Sequence, residues 1–190
     1  ALPGARVVAD AVCCGAAVSA CAKAGRWQAA LVLLASMPGL RLRPAVETCN
    51  AAVSACGRGG RWRRSLALLG AMPERYFCPT VVSCSAAITA CQRVGGWQRA
   101  LALFGGIREL RLTPDRIVHA ASVSACESAG RWRMALAVFH YSPHSAAGDS
   151  SGPDAVSCGA AVSACEKGAR WQLALSLLES MPDLGLRPDT

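Results

Sequence analysis

Eleven cysteines are the residues in this 190-residue chain with the most obvious capacity for chemistry. Eight of them form pairs seven residues apart: Cys14 with Cys21, Cys49 with Cys56, Cys84 with Cys91, and Cys158 with Cys165. Thiolates can bind zinc, but no pair has Cys-x-x-Cys spacing, and His119 stands where a cysteine seven residues before Cys126 would complete the series. A separation of seven places both members on one helix face. We therefore predict small buried apolar residues in a reducing compartment, without a bound metal.

Other side chains with catalytic potential lack the neighbours that catalysis needs. His140 and His144 have no carboxylate or nucleophile placed to work with them. The sequence contains no paired carboxylates, no Ser-His-Asp set, no phosphate-cradling glycine loop and no His-x-Glu deaminase motif. We therefore expect a chain that is not an enzyme on its own and that needs no cofactor.

Charge is the remaining signal for chemistry. The 20 basic residues exceed the 12 acidic ones by a net charge of +8, and 18 of the basic residues are arginine. This excess favours a polyanionic partner, although a GC-rich genome also produces Arg-, Ala- and Gly-rich chains. The position of the arginines has to separate these two interpretations.

The hydrophobic content is high, at 53%. No stretch approaches the roughly 18 uninterrupted apolar residues of a membrane-spanning helix, so no membrane span is expected. The chain begins at Ala1 without a charged leader and apolar segment, which predicts that any targeting peptide lies outside it.

A 35-residue period organises the whole chain. The tryptophans follow one another at steps of 35, 35, 35 and 39: Trp27, Trp62, Trp97, Trp132 and Trp171. Cysteines and prolines keep the same period: Cys21, Cys56, Cys91, Cys126 and Cys165, and Pro44, Pro79, Pro114, Pro153 and Pro188. The predicted organisation is one continuous domain with these parts: a repeat tail at 1–10, then repeats 11–45, 46–80, 81–115, 116–154 and 155–189. The fourth repeat is four residues longer, and its stretch 142–153 is predicted to be a widened surface loop.

Each repeat is predicted to be a helix-turn-helix. In the third repeat a first helix ends near Gly95 and Gly96, and a second helix follows with an apolar stripe: Trp97, Leu101, Phe104 and Ile107. Such short helices are unstable alone, so the hairpins must stack on one another. The sequence therefore predicts an all-α fold, an α-solenoid that forms a right-handed superhelix of about five repeats. The tryptophans are in phase with the stripe and are expected to pack in the core.

The repeat resembles the pentatricopeptide repeat. The matching residues are Ala24, Gly25 and Arg26 at the first turn, Ala100, Leu101, Leu103 and Phe104 on the third repeat's second helix, and Pro188 with Asp189 at the end. The Ala-Ala-Val-Ser-Ala-Cys first helix and the Trp-Gln opening of the second resemble P-type-like arrays of algal and protist organelles. The tetratricopeptide repeat is the competing 34-residue hairpin, but its tryptophan lies on the first helix.

The resemblance implies a single-stranded RNA-binding array with one base per repeat. An early first-helix residue and the last residue of the repeat would read the base: Asn50, Thr80, Ser85, Asp115, Asp154 and Asp189. Apolar residues three positions earlier would sandwich it: Val12, Val82, Ile117 and Val156. Ser85 with Asp115 resembles a guanine-selecting pair, and Asn50 indicates a pyrimidine. Weak sequence specificity is expected, because Glu47 is a poor sandwiching residue and the remaining early base-reading positions have no polar side chain: Gly15, Ala120 and Gly159.

Basic residues recur at the end of the first helix and would contact phosphates: Lys23, Arg58, Arg93 and Lys167. The arginines before the tryptophans either follow the phosphates or solvate the turn: Arg26, Arg61, Arg131 and Arg170. The resemblance further implies a chloroplast or mitochondrial factor in RNA processing, stability, translation or editing. Its partners would be RNA and other RNA-processing proteins, and it would be a monomer within a longer array. The alternative is a protein-binding helical-repeat scaffold, which the degenerate base-reading positions favour.

Overall fold

The regular structure is helical throughout the residues that the computed structural model describes, which confirms the all-α prediction. These residues are 10–75, 78–141 and 154–181, apart from the side chains of residues 74, 75 and 108. The first helices are α1 (Ala11–Lys23), α3 (Val46–Arg58), α5 (Val81–Gln92), α7 (Arg116–Ser128) and α9 (Ala155–Lys167). The second helices are α2 (Trp27–Ser36), α4 (Trp62–Arg75), α6 (Trp97–Glu109), α8 (Trp132–His140) and α10 (Trp171–Ser180). Within these ranges, no helix combines the length and the apolar character needed to cross a bilayer.

Three parts of the sequence prediction lie outside the described residues. They are residues 1–9 of the repeat tail, the widened loop at 142–153, and Asp189. The predicted repeat boundaries and the single continuous domain stay predictions.

Four of the five first helices begin at a short polar side chain that caps them, whereas α3 begins after Ala45 without a side-chain cap. Asp115 Oδ1 accepts a hydrogen bond from the Val118 backbone N–H at 2.8 Å. Asp154 caps α9 in the same way, and Thr80 forms a capping box with Ser83 at the start of α5. Each cap satisfies a backbone donor that has no partner inside the helix, and its loss typically costs about 1 kcal/mol.

Every hairpin turn closes with the same backbone hydrogen bond. The N–H of the residue before each tryptophan donates to the carbonyl of the repeating cysteine, as Arg131 does to Cys126 at 2.9 Å. This bond requires that the residue just before the N–H donor adopts the left-handed backbone conformation, with a positive φ. Four of the turns have glycine there with φ between 65° and 69°: Gly25, Gly60, Gly95 and Gly130. The fifth has Ala169 at φ 51°.

Replacing Ala169 with glycine is expected to stabilise the protein by roughly 0.5 to 1 kcal/mol. The left-handed conformation strains an alanine but not a glycine, and this gain exceeds the extra entropy of glycine in the unfolded chain. Urea denaturation of the variant measures the change, with Gly130→Ala as the reverse control. A loss of stability in Ala169→Gly would contradict the assignment of strain to this turn.

The chain divides into two compact bodies, Ala1–Pro79 and Thr80–Thr190. In the first body, α1 and α2 both pack against α3. In the second body, α5, α7 and α9 lie side by side, and α6 and α8 each pack against the first helix of the following repeat. The described backbones of α6, α8 and α10 do not contact one another. The second body is therefore a close layer of first helices, covered by second helices.

Small side chains make the close approach of the first helices possible. Alanines and cysteines on their inner faces are almost completely buried, among them Ala52, Cys56, Ala87 and Cys91. One branched residue at the same position of four first helices fills the remaining space: Val18, Val53, Ile88 and Val123. Its equivalent in α9, Val162, is half-buried. The hydrophobic composition noted in the sequence is this core.

The tryptophans do not lie in the core as predicted. Trp27 and Trp132 are half-buried, and Trp171 is exposed. The Trp27 indole covers the turn glycine of the next repeat, Gly59, so closely that no Cβ would fit there. Trp132 covers Gly168 in the same manner. The apolar stripe of the second helix therefore extends from the core to the seam between hairpin turns.

Candidate nucleic-acid interface

One apolar side chain projects from the first turn of a first helix in four repeats. The exposed fractions are 78% for Val12, 60% for Val82, 63% for Ile117 and 66% for Val156. The corresponding position of α3 carries the exposed Glu47. Single exposed apolar residues are ordinary on a protein surface, but in the second body Val82, Ile117 and Val156 take the same position in three successive repeats and make a regular row.

A cleft of about 440 Å³ opens between two members of this row in the second body. Ile117 and Val156 line it, together with Ala120 and Asp154. The resemblance assigns Ile117, Ala120 and Asp154 to the fourth repeat, and Val156 is the sandwiching residue that it assigns to the fifth. The structure therefore brings both predicted sandwiching residues together with one predicted base-reading residue.

Four polar residues of the cleft were missed in the sequence: Thr89, Gln92, Arg116 and Ser124. Gln92 Nε2 donates to Ser124 Oγ at 2.8 Å, and Thr89 lies beside them. A signal was available, because a hydroxyl recurs at this position of every first helix: Ser19, Ser54, Thr89, Ser124 and Ser163. The cleft thus offers amide and hydroxyl groups between apolar walls, which suits an unstacked base.

The predicted base-reading residues differ in accessibility. Ser85 is buried, whereas Asn50 is half-buried and already has an interaction within the protein. Asp115 and Asp154 are half-buried, and each uses one carboxylate oxygen as a helix cap. A carboxylate has several acceptor sites, so capping leaves it able to accept another hydrogen bond.

The predicted phosphate contacts also differ. Lys23, Arg58 and Arg93 are exposed at the ends of their first helices, and Arg58 donates to Ser54 Oγ at 3.2 Å. Lys167 is paired with the Glu127 carboxylate of the neighbouring first helix. A phosphate at Lys167 would have to compete with this ion pair.

The cysteines are packing residues. Eight of the 11 free thiols are buried as predicted, whereas Cys21 is half-buried and Cys13 and Cys78 are exposed. Burial raises the pKa of Cys126 to about 11. His119 occupies the equivalent of a cysteine position, and its Nε2–H donates to the Val138 carbonyl at 2.8 Å. Burial lowers the pKa of His119, so the neutral form is favoured. Within the described ranges, no three His, Cys, Asp or Glu side chains converge as metal ligands would.

Comparison with known proteins identifies the repeat. The pentatricopeptide repeat model matches residues 12–42 and 47–77. No curated protein matches the chain in sequence. Among solved structures, PPR10 in complex with an 18-nt psaJ RNA element is 26% identical, with a TM-score of 0.77 over 95% of this chain and 26% of that chain. PPR10 from maize is 29% identical, with a TM-score of 0.71 over 90% of this chain and 24% of that chain.

A more distant structure shares the fold. The PPR domain of Arabidopsis thaliana protein-only RNase P 1, in complex with tRNA, is 13% identical, with a TM-score of 0.74 over 91% of this chain and 89% of that chain. The present chain spans about a quarter of the length of the PPR10 structures. The matched segments show that this chain contains pentatricopeptide repeats, and it shares the helical-solenoid fold of the PPR10 structures.

Proposed function

We propose that this chain binds single-stranded RNA along its layer of first helices. The observation that carries the proposal is the cleft between Ile117 and Val156, which has apolar walls and polar groups at the same place as the predicted base slot. An extended strand can insert one unstacked base into each such slot. PPR10 and the RNase P domain were both solved with RNA, which supports the same class of ligand here.

Lys23, Arg58 and Arg93 are the candidate phosphate contacts. They are exposed and none has a carboxylate partner among the described residues. Lys167 contributes less, because Glu127 already balances its charge. Three contacts predict that log affinity falls with log salt at a slope of about 2, at about 0.7 per contact.

Sequence specificity is weak in this proposal. Ala120 and Gly159 supply no polar side chain to a base. The chain therefore coats a transcript segment more than it selects one. As part of an organellar protein, it would block or recruit the nucleases, editing factors or ribosomes that act on the transcript. Other RNA-processing proteins would be its partners.

Two substitutions separate base reading from backbone binding. Arg93→Ala is expected to weaken all single-stranded sequences alike and to lower the salt slope by about 0.7, whereas Ser85→Ala changes only the guanine preference at one position. Fluorescence anisotropy with randomised RNA across a salt series measures both effects.

Lys167→Ala is the matched control for Arg93→Ala, because the ion pair with Glu127 should make its effect smaller. A salt-independent affinity of the unsubstituted chain would contradict the proposal. So would equal slopes for the unsubstituted chain and Arg93→Ala.

A further inference from the structure

The hairpin turns carry a second basic surface, away from the cleft between the first helices. In the second body the Arg131 guanidinium lies over the Trp97 ring, with Cζ 5.2 Å from the ring centroid. Arg133 and Arg170 lie over Trp132 at 5.2 and 5.0 Å. We call this set of residues the arginine edge: Trp97, Arg131, Trp132, Arg133 and Arg170.

The same arrangement recurs within the first body. Arg61 and Arg64 lie over Trp27 at 5.2 and 4.9 Å, and Arg63 lies over Trp62 at 5.1 Å. Two independent bodies therefore build the same stacked pairs from equivalent positions. The arrangement is a property of the repeat, and no single turn accounts for it.

Stacking holds these arginines in place without neutralising them. In the described parts of the chain, Lys167 forms an ion pair with Glu127, and no carboxylate pairs with an arginine of the arginine edge. A guanidinium that lies over an indole ring still has N–H groups that can point away from the ring. Planar donors of this kind match the oxygens of a phosphate group.

Clefts lie beside the stacked arginines. One of about 380 Å³ is lined by all five residues of the arginine edge. Its equivalent in the first body is about 320 Å³ and is lined by Arg61, Trp62, Arg63 and Arg64. The arginine-edge cleft shares no lining residue with the cleft between Ile117 and Val156.

We propose that the arginine edge is a second RNA-binding surface, which holds the phosphate backbone of a strand segment outside the first-helix layer. Guanidinium planes next to indoles suit both phosphates and unstacked bases, a combination that RNA supplies and an acidic polypeptide does not. An RNA held at the first helices would present further segments to this edge at high effective concentration. This surface would act in addition to base reading. It rests on the proposed function only because RNA bound at the first helices raises the local RNA concentration.

The double variant Arg133→Ala/Arg170→Ala tests the proposal. Both side chains are exposed, and neither makes a side-chain cap bond at the start of its helix, so the fold should persist. We expect the salt slope for a 20-nucleotide single strand to be about 1.4 smaller in this variant, from two contacts at about 0.7 each, and the slope of the unsubstituted chain to exceed by this amount the value of about 2 from the first-helix contacts. Melting temperatures measured in parallel check that the variant is folded.

The matched control removes two exposed arginines from the opposite ends of the hairpins, in Arg43→Ala/Arg111→Gly. Glycine is chosen at 111 because that residue has φ 55°. An equal fall in slope for both variants would overturn the proposal, since net charge alone would then explain it. An unchanged slope in the arginine-edge variant, or binding of poly-glutamate that depends on the edge while RNA binding does not, would also overturn it.

The two proposals fail with different combinations of variant results. If Ile117→Asp leaves RNA affinity unchanged while the arginine-edge variant loses slope, then RNA binds at the turns and the base slot is wrong. If Ile117→Asp weakens binding and the arginine-edge variant behaves as the unsubstituted chain, the base slot stands and the arginine edge is overturned.

Discussion

Replacing Ile117 and Val156 together with aspartate is expected to weaken single-stranded RNA binding by roughly one hundredfold, because each occupied base slot is worth about 1 to 3 kcal/mol. The change removes both apolar walls of the cleft and puts two carboxylates where a base and its phosphates would lie. Anisotropy titration with a labelled single strand at fixed salt measures the loss. Binding within a factor of two of the unsubstituted chain would show that this cleft does not hold a base.

The fold should tolerate this double substitution. Both side chains are largely exposed, at the second residue of α7 and of α9. An acidic residue in the first turn interacts favourably with the helix dipole. The chain itself provides a precedent, because Glu47 occupies the same position in α3. The free energy of unfolding should therefore stay within about 0.5 kcal/mol, and Ile117→Val serves as the control that keeps an apolar wall.

Replacing Ile88 with alanine is expected to destabilise the fold, in contrast to the substitutions at Ile117 and Val156. Ile88 is completely buried on α5, so its loss should lower the free energy of unfolding by about 2 to 5 kcal/mol through lost burial and a cavity. Urea denaturation measures the loss.

Ile88→Val is the matched control, with an expected cost of about 0.5 to 1.5 kcal/mol. Valine already fills the equivalent position in other repeats, as Val53 and Val123 do. A cost for Ile88→Ala as small as that for Ile88→Val would contradict the tight packing between first helices.

Much of the fold could be predicted because the repeat imposes one local structure five times. The spacing of the tryptophans indicated where each second helix begins, and the structure begins α2, α4, α6, α8 and α10 at these residues. The surroundings of the tryptophans could not be predicted from their position in the apolar stripe alone. A stripe at helical spacing does not distinguish the core from a seam where Trp27 meets Gly59 of the next turn.

The position of the predicted sandwiching residues agrees with the resemblance, and their role in RNA binding stays a prediction. The exposed row of Val82, Ile117 and Val156 lies on the first helices, one per repeat, as a base-sandwiching row requires. The pairing of Lys167 with Glu127 was not visible, because the two residues are 40 positions apart and meet only when α7 and α9 pack together. The role of Asp115 as a helix cap was missed because a residue at the end of one repeat also begins the next helix.

Affinity for a single strand, compared with the same sequence in a duplex, tests the central claim most directly. Base slots accept only unstacked bases, whereas a basic surface alone binds both forms through their phosphates. The account predicts tighter binding of the single strand by the unsubstituted chain, and loss of this preference in Ile117→Asp/Val156→Asp. Equal affinity of the unsubstituted chain for the two forms at matched salt would contradict it.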